Sequence, residues 1–119
     1  GPTVDLEKLV RSRRRDLVLK PNRSFGGKGV VLGRHVGARE WQRAVDAALA
    51  RPASCVVQRF ARIPREPFPS STGPARMERQ FADLGLYAFG ARIGFLSRAS
   101  TSPIVNISSG GGIAAVLRA

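Results

Sequence analysis

Residues 18–33, VLKPNRSFGGKGVVLG, constrain the fold more than any other stretch. Two apolar runs flank a polar loop with three glycines and two lysines. Leu17–Leu19 reads as a strand ending in Lys20-Pro21, residues 22–27 as the loop, and Lys28–Leu32 as a second strand. Together they predict a hairpin with a long glycine-rich tip. The loop is not a Walker A loop, because no GK[ST] follows a GxxxxG spacing. It also fails the dinucleotide fingerprint, since a strand and not a helix follows it. A different phosphate geometry fits a hairpin of this kind. Backbone N–H groups at a glycine tip can close over phosphates while strand lysines supply charge. A plain flexible hairpin accounts for the same residues equally well.

The lysines gain weight from composition. The net charge is +12, carried by seventeen arginines and three lysines against eight acidic residues. Such a balance fits nucleic acid or an acidic partner, and Arg11, Arg13, Arg14 and Arg15 form the one dense cluster. It also fits the arginine-rich coding bias of a GC-rich genome. Two of the three lysines, Lys20 and Lys28, nonetheless fall in this hairpin. Lysine is a compact point charge on a flexible stem, which arginine does not reproduce.

Beyond the hairpin, residues 38–50 are the clearest helix. Trp41, Ala44, Val45, Ala48 and Leu49 recur at i, i+3, i+4, i+7 and i+8, so Trp41 is expected to anchor a core. Residues 3–14 read as a short peripheral helix with Thr3 as its N-cap. Residues 55–60 read as a strand with Cys55 a small buried residue. Residues 63–79 carry four prolines and are expected to be an exposed flexible loop, disordered around 70–75. Residues 80–89 and 92–99 predict a hairpin turning at Gly90. A short strand at Ile104–Ile107, a glycine turn and a last strand at Ala114–Leu117 close the chain. Runs of strands with one main helix predict an α+β fold of mainly antiparallel sheets.

Apolar residues make up 43% of the 119, enough for a small core. No apolar stretch approaches ~18 residues, so no membrane span is expected. The N-terminus lacks the apolar segment of a signal peptide. The single Cys55 cannot form an internal disulfide, which makes a reducing, cytoplasmic setting the expectation. Gly1-Pro2 matches the remnant left by a cleaved expression tag.

The remaining chemistry-bearing residues are few. Asp83 is the only acidic side chain after Glu78, and it sits in an otherwise apolar strand. If buried it needs a cation, either a metal or an arginine such as Arg92 or Arg98 on the next strand. Asn106 precedes Gly110-Gly111-Gly112, and its amide oxygen suits Mg2+, although a surface turn has the same composition. Residues 56–60, VVQRF, suit a strand running into a hinge that presents backbone groups to an adenine edge. An ordinary core strand reads the same way.

The order of these pieces is more specific than any one of them. VLKPNRSFGGKGVVLG, then a helix, VVQRF, ADLGLYAF, FLSRAS and IVNISSGGG resemble the C-terminal part of the circularly permuted ATP-grasp family. The resemblance runs from about Leu17 to the end. It implies an ATP-grasp-like fold with ATP and Mg2+ between two antiparallel sheets. It divides the chain into the tag remnant and peripheral helix (1–16), a lid subdomain (17–62), the proline-rich loop (63–79) and a core-sheet part (80–119). Lys20 would contact the phosphates, and Gly26, Gly27, Lys28 and Gly29 would form the lid. Gln58, Arg59 and Phe60 would be the adenine-side hinge, Asp83 and Asn106 the metal ligands, and Arg98 would face the γ-phosphate. The parent protein is implied to be an ATP-dependent carboxylate–amine or peptide-type ligase working through an acyl-phosphate. Carboxylate and amine substrates would bind with the rest of that parent, and this chain by itself is expected to be silent. One departure stands out: typical members carry a glutamate two residues before the asparagine, and here that residue is Ile104. A scaffold of the family that has lost its chemistry is consistent with this departure. From another class, a basic module for nucleic acid or an acidic protein, centred on Arg11–Arg15, also fits the charge.

Overall fold

A computed structural model of the chain describes residues 5–70, 74 and 76–116. The fold is α+β with two antiparallel sheets. The chain divides into two compact units, Gly1–Ala61 and Arg62–Ala119.

In the first unit, α1 (Leu6–Ser12) opens at Asp5, whose Oδ1 accepts a hydrogen bond from the Lys8 amide at 3.0 Å. Asp5 is therefore the cap of the helix. Thr3, the expected cap, lies outside the described residues. Seven residues are too few for a helix that stands by itself. Packing holds it instead: Val10 is buried, and Arg11 reaches across to α2 (Ala38–Leu49). The Arg11 guanidinium bonds Glu7 Oε1 at 2.9 Å, Gln42 Oε1 at 2.7 Å and Asp46 Oδ1 at 2.8 Å. The hydrogen bond to Asp46, then that to Glu7, raises its pKa above the ordinary arginine value.

A 3₁₀ turn at Arg14–Asp16 leads into β1 (Leu17–Pro21), the central strand of the order β2-β1-β3. Strand β2 is Val31–Leu32 and β3 is Cys55–Arg59. Leu17 and Leu19 alternate onto the buried face and pack with Val10, Trp41 and Val45. Trp41 is 0% exposed, and its Nε1 donates to the Val10 carbonyl at 3.0 Å. The core anchor therefore ties α2 to α1 by a hydrogen bond as well as by packing. Leu49, the last residue of the predicted apolar face, is exposed, because the helix end runs past the packed region. Cys55 is only half-buried beside the core.

Strand β2 is shorter than the expected Lys28–Leu32. Gly26, Gly27 and Gly29 have φ of 65°, 75° and 73°, left-handed values that curl residues 26–29 into a turn before pairing begins. Val18 then faces Leu32 and Leu19 faces Val31. Gly33 ends the hairpin at a close crossing. A Cβ there would lie 2.0 Å from the Arg14 carbonyl oxygen.

The second unit is a four-stranded sheet of order β4-β5-β6-β7. The strands are β4 (Arg65–Pro69), β5 (Met77–Phe89), β6 (Arg92–Ser100) and β7 (Gly112–Ala114). Strand β4 corrects the reading of 63–79 as a loop. Arg65–Pro69 pairs with Met77–Phe81, and β5 starts three residues earlier than expected. The prolines are tolerated because β4 is an edge strand, where a missing N–H costs no ladder bond. Arginines pin the edge further: Arg65 Nη2 donates to the Arg79 carbonyl at 2.8 Å, and Arg79 Nη2 to that of Arg65 at 2.5 Å. Residues 71–73 and 75, where disorder was expected, lie outside the described residues.

The hairpin turns at Gly90 (φ 59°) as expected. The final segment differs. Residues 101–106 are irregular, and Ile107–Ser109 is a 3₁₀ turn, so the predicted strand at Ile104–Ile107 is absent. Strand β7 comes two residues before the predicted position, and Leu117 lies outside the described residues. At Ile107 the reason is local: the Asn106 side-chain oxygen caps the turn and favours a bend over an extended strand. No helix among the described residues is long and apolar enough to cross a membrane.

Candidate functional site

The predicted site residues fall on both units, and each half has its own geometry. In the first unit, Lys20 faces Val56 and Val18 faces Gln58 across the β1–β3 ladder. Directly opposed residues share a face, so Val18, Lys20, Val56 and Gln58 line the side of the sheet away from the core. Lys20 is exposed there and forms no ion pair among the described residues. Burial of Leu17 and Leu19 forces this placement, because side chains alternate along a strand.

The glycine turn carries the second lysine. Lys28 Nζ stands 5.4 Å from the ring centre of Phe25, itself strongly exposed. The Lys28 amide donates to the Phe25 carbonyl and that of Val30 to Gly27, both at 3.2 Å. Those two N–H groups close the turn on itself, so a phosphate bound there would have to replace these bonds. Asn22 fixes the base of the loop. Its Nδ2 donates to the Ala53 carbonyl at 2.7 Å and its backbone N–H to that of Ser54 at 2.9 Å. The sequence reading gave Asn22 no role; its position just after Pro21 in a turn was the available signal. A groove of about 790 Å³ lies beside this anchor, lined by Arg23, Gly29, Arg51 and Pro52 among others, but not by Lys20, Lys28 or Gln58.

The expected hinge residues separate. Gln58 stays on the open face with Lys20. Arg59 faces Leu17 and therefore points to the other side. The Phe60 amide donates to the Asp16 carbonyl at 2.7 Å. Its ring packs under the Arg34 guanidinium at 3.9 Å and against His35 at 6.2 Å between ring centres. Both the amide and the ring of Phe60 are thus engaged within its own unit.

In the second unit, Asp83 and Arg98 are opposed on β5 and β6, and their side chains form an ion pair. Arg98 in turn faces Ile113 of β7, so Asp83, Arg98 and Ile113 form one row across three strands. Arg98 Nε is buried without a hydrogen-bond partner among the described residues. Asn106 Oδ1 accepts from the Ser108 amide at 3.0 Å and from Ser108 Oγ at 2.9 Å. The Gly111 amide donates to the Asn106 carbonyl at 2.8 Å, and a Cβ on Gly111 would lie 2.8 Å from that oxygen. The glycine run therefore folds back onto Asn106. Ile104 is half-buried. Among the described residues no three His, Cys, Asp or Glu side chains gather as a metal cluster.

The basic cluster is mostly consumed internally. Arg11 binds Glu7 and Asp46, and Arg13 Nη2 lies 3.1 Å from Asp16 Oδ2. Arg14 Nη1 donates to the carbonyls of Gly33 and Val36. Arg11–Glu7 and Arg13–Asp16 are local pairs, but the Arg11–Asp46 and Arg14–Gly33 bonds join residues 35 and 19 positions apart, beyond what periodicity reveals.

These features define an antiparallel α+β protein with a lysine-bearing glycine hairpin on one unit and a carboxylate–arginine row on the other. No protein-family model matches the chain, and no curated protein matches it.

Proposed function

We propose that the chain is an ATP- and Mg2+-binding part of a circularly permuted ATP-grasp protein, whose parent is a carboxylate–amine or peptide-type ligase working through an acyl-phosphate. The observation that carries this reading is the placement of Lys20. A cation with no ion pair among the described residues stands on the open face of a sheet, at the foot of a turn with three left-handed glycines that bears a second lysine. That arrangement suits a polyphosphate: point charges come from the strand, and glycine backbone permits close approach.

The metal set is thinner. Mg2+ keeps several waters and takes one or two carboxylates with phosphate oxygens, so Asp83 and Asn106 are a sufficient protein contribution. Asp83 would share its charge between Arg98 and the ion, and the Asn106 oxygen would exchange its bonds to Ser108. Bound there, the ion would offset phosphate charge, and Arg98 would help to neutralise what develops on the transferred group. With Ile104 at the position where typical members carry glutamate, two metals held as in those members find no second carboxylate, and a scaffold without ligase chemistry stays consistent with the site.

A basic module centred on Arg11–Arg15 receives less support. Arg11, Arg13 and Arg14 are all engaged by partners within their own unit. Thermal-shift titration tests the two readings together, with Mg-ATP against duplex DNA and Lys20→Ala in parallel. Ligand at ~100 times its dissociation constant adds roughly 2.7 kcal/mol, several degrees for a domain of this size. An ATP shift that Lys20→Ala removes supports the nucleotide reading. No ATP shift, with salt-sensitive stabilisation by DNA, overturns it.

A further inference from the structure

The second unit lacks a finished core. Ala99 is the only buried apolar residue described in it, whereas Leu84, Leu86, Ile93 and Phe95 are 54% to 66% exposed. Register places these four together. Leu86 faces Phe95, Ala88 faces Ile93 and Leu84 faces Ser97, so all lie on one side of the β5–β6 ribbon. The flanking strands leave Leu86, Ile93 and Phe95 alone, because β4 pairs only as far as Phe81 and β7 reaches no further than Ser97, on the rung of Leu84. Residues 85–96 are thus a two-stranded ribbon, an arrangement with little stability in water unless a face is covered.

The two faces of this ribbon differ. On one, Tyr87 lies over Gly85 on its own strand, and Arg92 sits opposite Phe89. The other, with Leu84, Leu86, Ala88, Ile93 and Phe95, carries no charge. On a chain of net charge +12, most surfaces repel a second copy. This face does not, and a two-fold axis would bring Leu and Phe against their own kind without like-charge contact. Four large side chains, each more than half exposed, offer on the order of 400 Å² of apolar surface per copy. With Ala88 and the ribbon backbone, two copies approach the ~1,000 Å² at which an interface becomes specific.

We propose that the apolar face of the β5–β6 ribbon is the contact between two copies of this chain, packed sheet to sheet. The modest area makes it a weak dimer, with a dissociation constant on the order of 1–100 μM. The proposal does not rest on the nucleotide reading; a face covered instead by the rest of a larger parent would leave this chain monomeric.

Sedimentation equilibrium across that concentration range tests it, with Leu86→Glu and the opposite-face control Phe89→Ser. The wild type should pass from monomer to dimer. Leu86→Glu should weaken dimerisation by about a hundredfold or more, because each change enters a two-fold interface twice. Phe89→Ser should leave it unchanged. Circular dichroism checks that both variants fold. A second measurement covers failure of either: in Cys55→Ser protein, Leu86→Cys should cross-link into dimers under oxidation and Tyr87→Cys, facing the other way, should not. A wild type that stays monomeric, a dimer that survives Leu86→Glu, or equal cross-linking at 86 and 87 overturns the proposal.

Discussion

Asp83 and Arg98 meet across the β5–β6 ladder as directly opposed residues, and each is the other's ion-pair partner. The pair joins a proposed metal ligand to a proposed phosphate contact. It also supplies the cation that a carboxylate in an apolar strand needs. Asp83→Asn should cost on the order of 1 kcal/mol of stability, since Asp83 keeps solvent contact while the partly buried Arg98 would lose its carboxylate. The same variant should remove Mg2+-dependent stabilisation by ATP and leave metal-free nucleotide binding almost unchanged. Titrations with and without Mg2+ decide this. Identical curves for variant and wild type would deny Asp83 a metal role and leave only the ion pair.

Gly33 is required by space. A Cβ at this position would sit 2.0 Å from the Arg14 carbonyl oxygen and 2.9 Å from that of Leu17. Neither is the end of a flexible side chain, so the hairpin and the 3₁₀ turn would have to separate. Gly33→Ala should lose roughly 2–3 kcal/mol. Gly37→Ala, where a Cβ meets nothing within 4 Å, is the matched control for urea unfolding.

Trp41 combines packing with a hydrogen bond to the Val10 carbonyl, and the two can be separated. Trp41→Ala should cost roughly 3–5 kcal/mol through lost burial and a cavity. Trp41→Phe keeps a ring but leaves the carbonyl without its donor, and should cost roughly 1–3 kcal/mol. Urea midpoints followed by circular dichroism measure both. Equal losses would mean that the hydrogen bond, not the volume, dominates.

Arg14 tests whether the basic cluster is structural. Its Nη1 donates to both the Gly33 and the Val36 carbonyl, and the shorter lysine stem would bring its ammonium to that position less well. Arg14→Lys should therefore lower stability by about 1 kcal/mol while conserving charge. Binding of duplex DNA, if present, should be unchanged by it. A loss of DNA affinity without a loss of stability would return the cluster to the surface as an interface.

Local patterns made much of the fold legible. The 3.6-residue spacing from Trp41 located α2, and the turn residues at Gly90 located the long hairpin. Their physics is contained in neighbouring residues. The proline-rich segment misled for the opposite reason. Pro67 and Pro69 lower strand propensity, but the outcome depends on whether the missing N–H faces a neighbour, and that follows from β4 lying at the edge. The left-handed glycines likewise shortened β2, a conformational freedom that composition suggests but does not place.

Of the candidate site, the sequence by itself determined which residues carry chemistry: two lysines beside glycines, one carboxylate in an apolar strand, and an asparagine before a glycine run. Strand alternation also put Lys20 on the face opposite Leu17 and Leu19. Only the tertiary structure decided their partners. It paired Asp83 with Arg98, turned the Asn106 oxygen onto Ser108, drew Phe60 against Arg34 and His35, and engaged Arg11 and Arg14 within the first unit. It also left one face of the β5–β6 ribbon beyond the reach of β4 and β7. Periodicity specifies which way a side chain points, whereas its partner depends on what the rest of the chain brings to that face, often from twenty or more residues away.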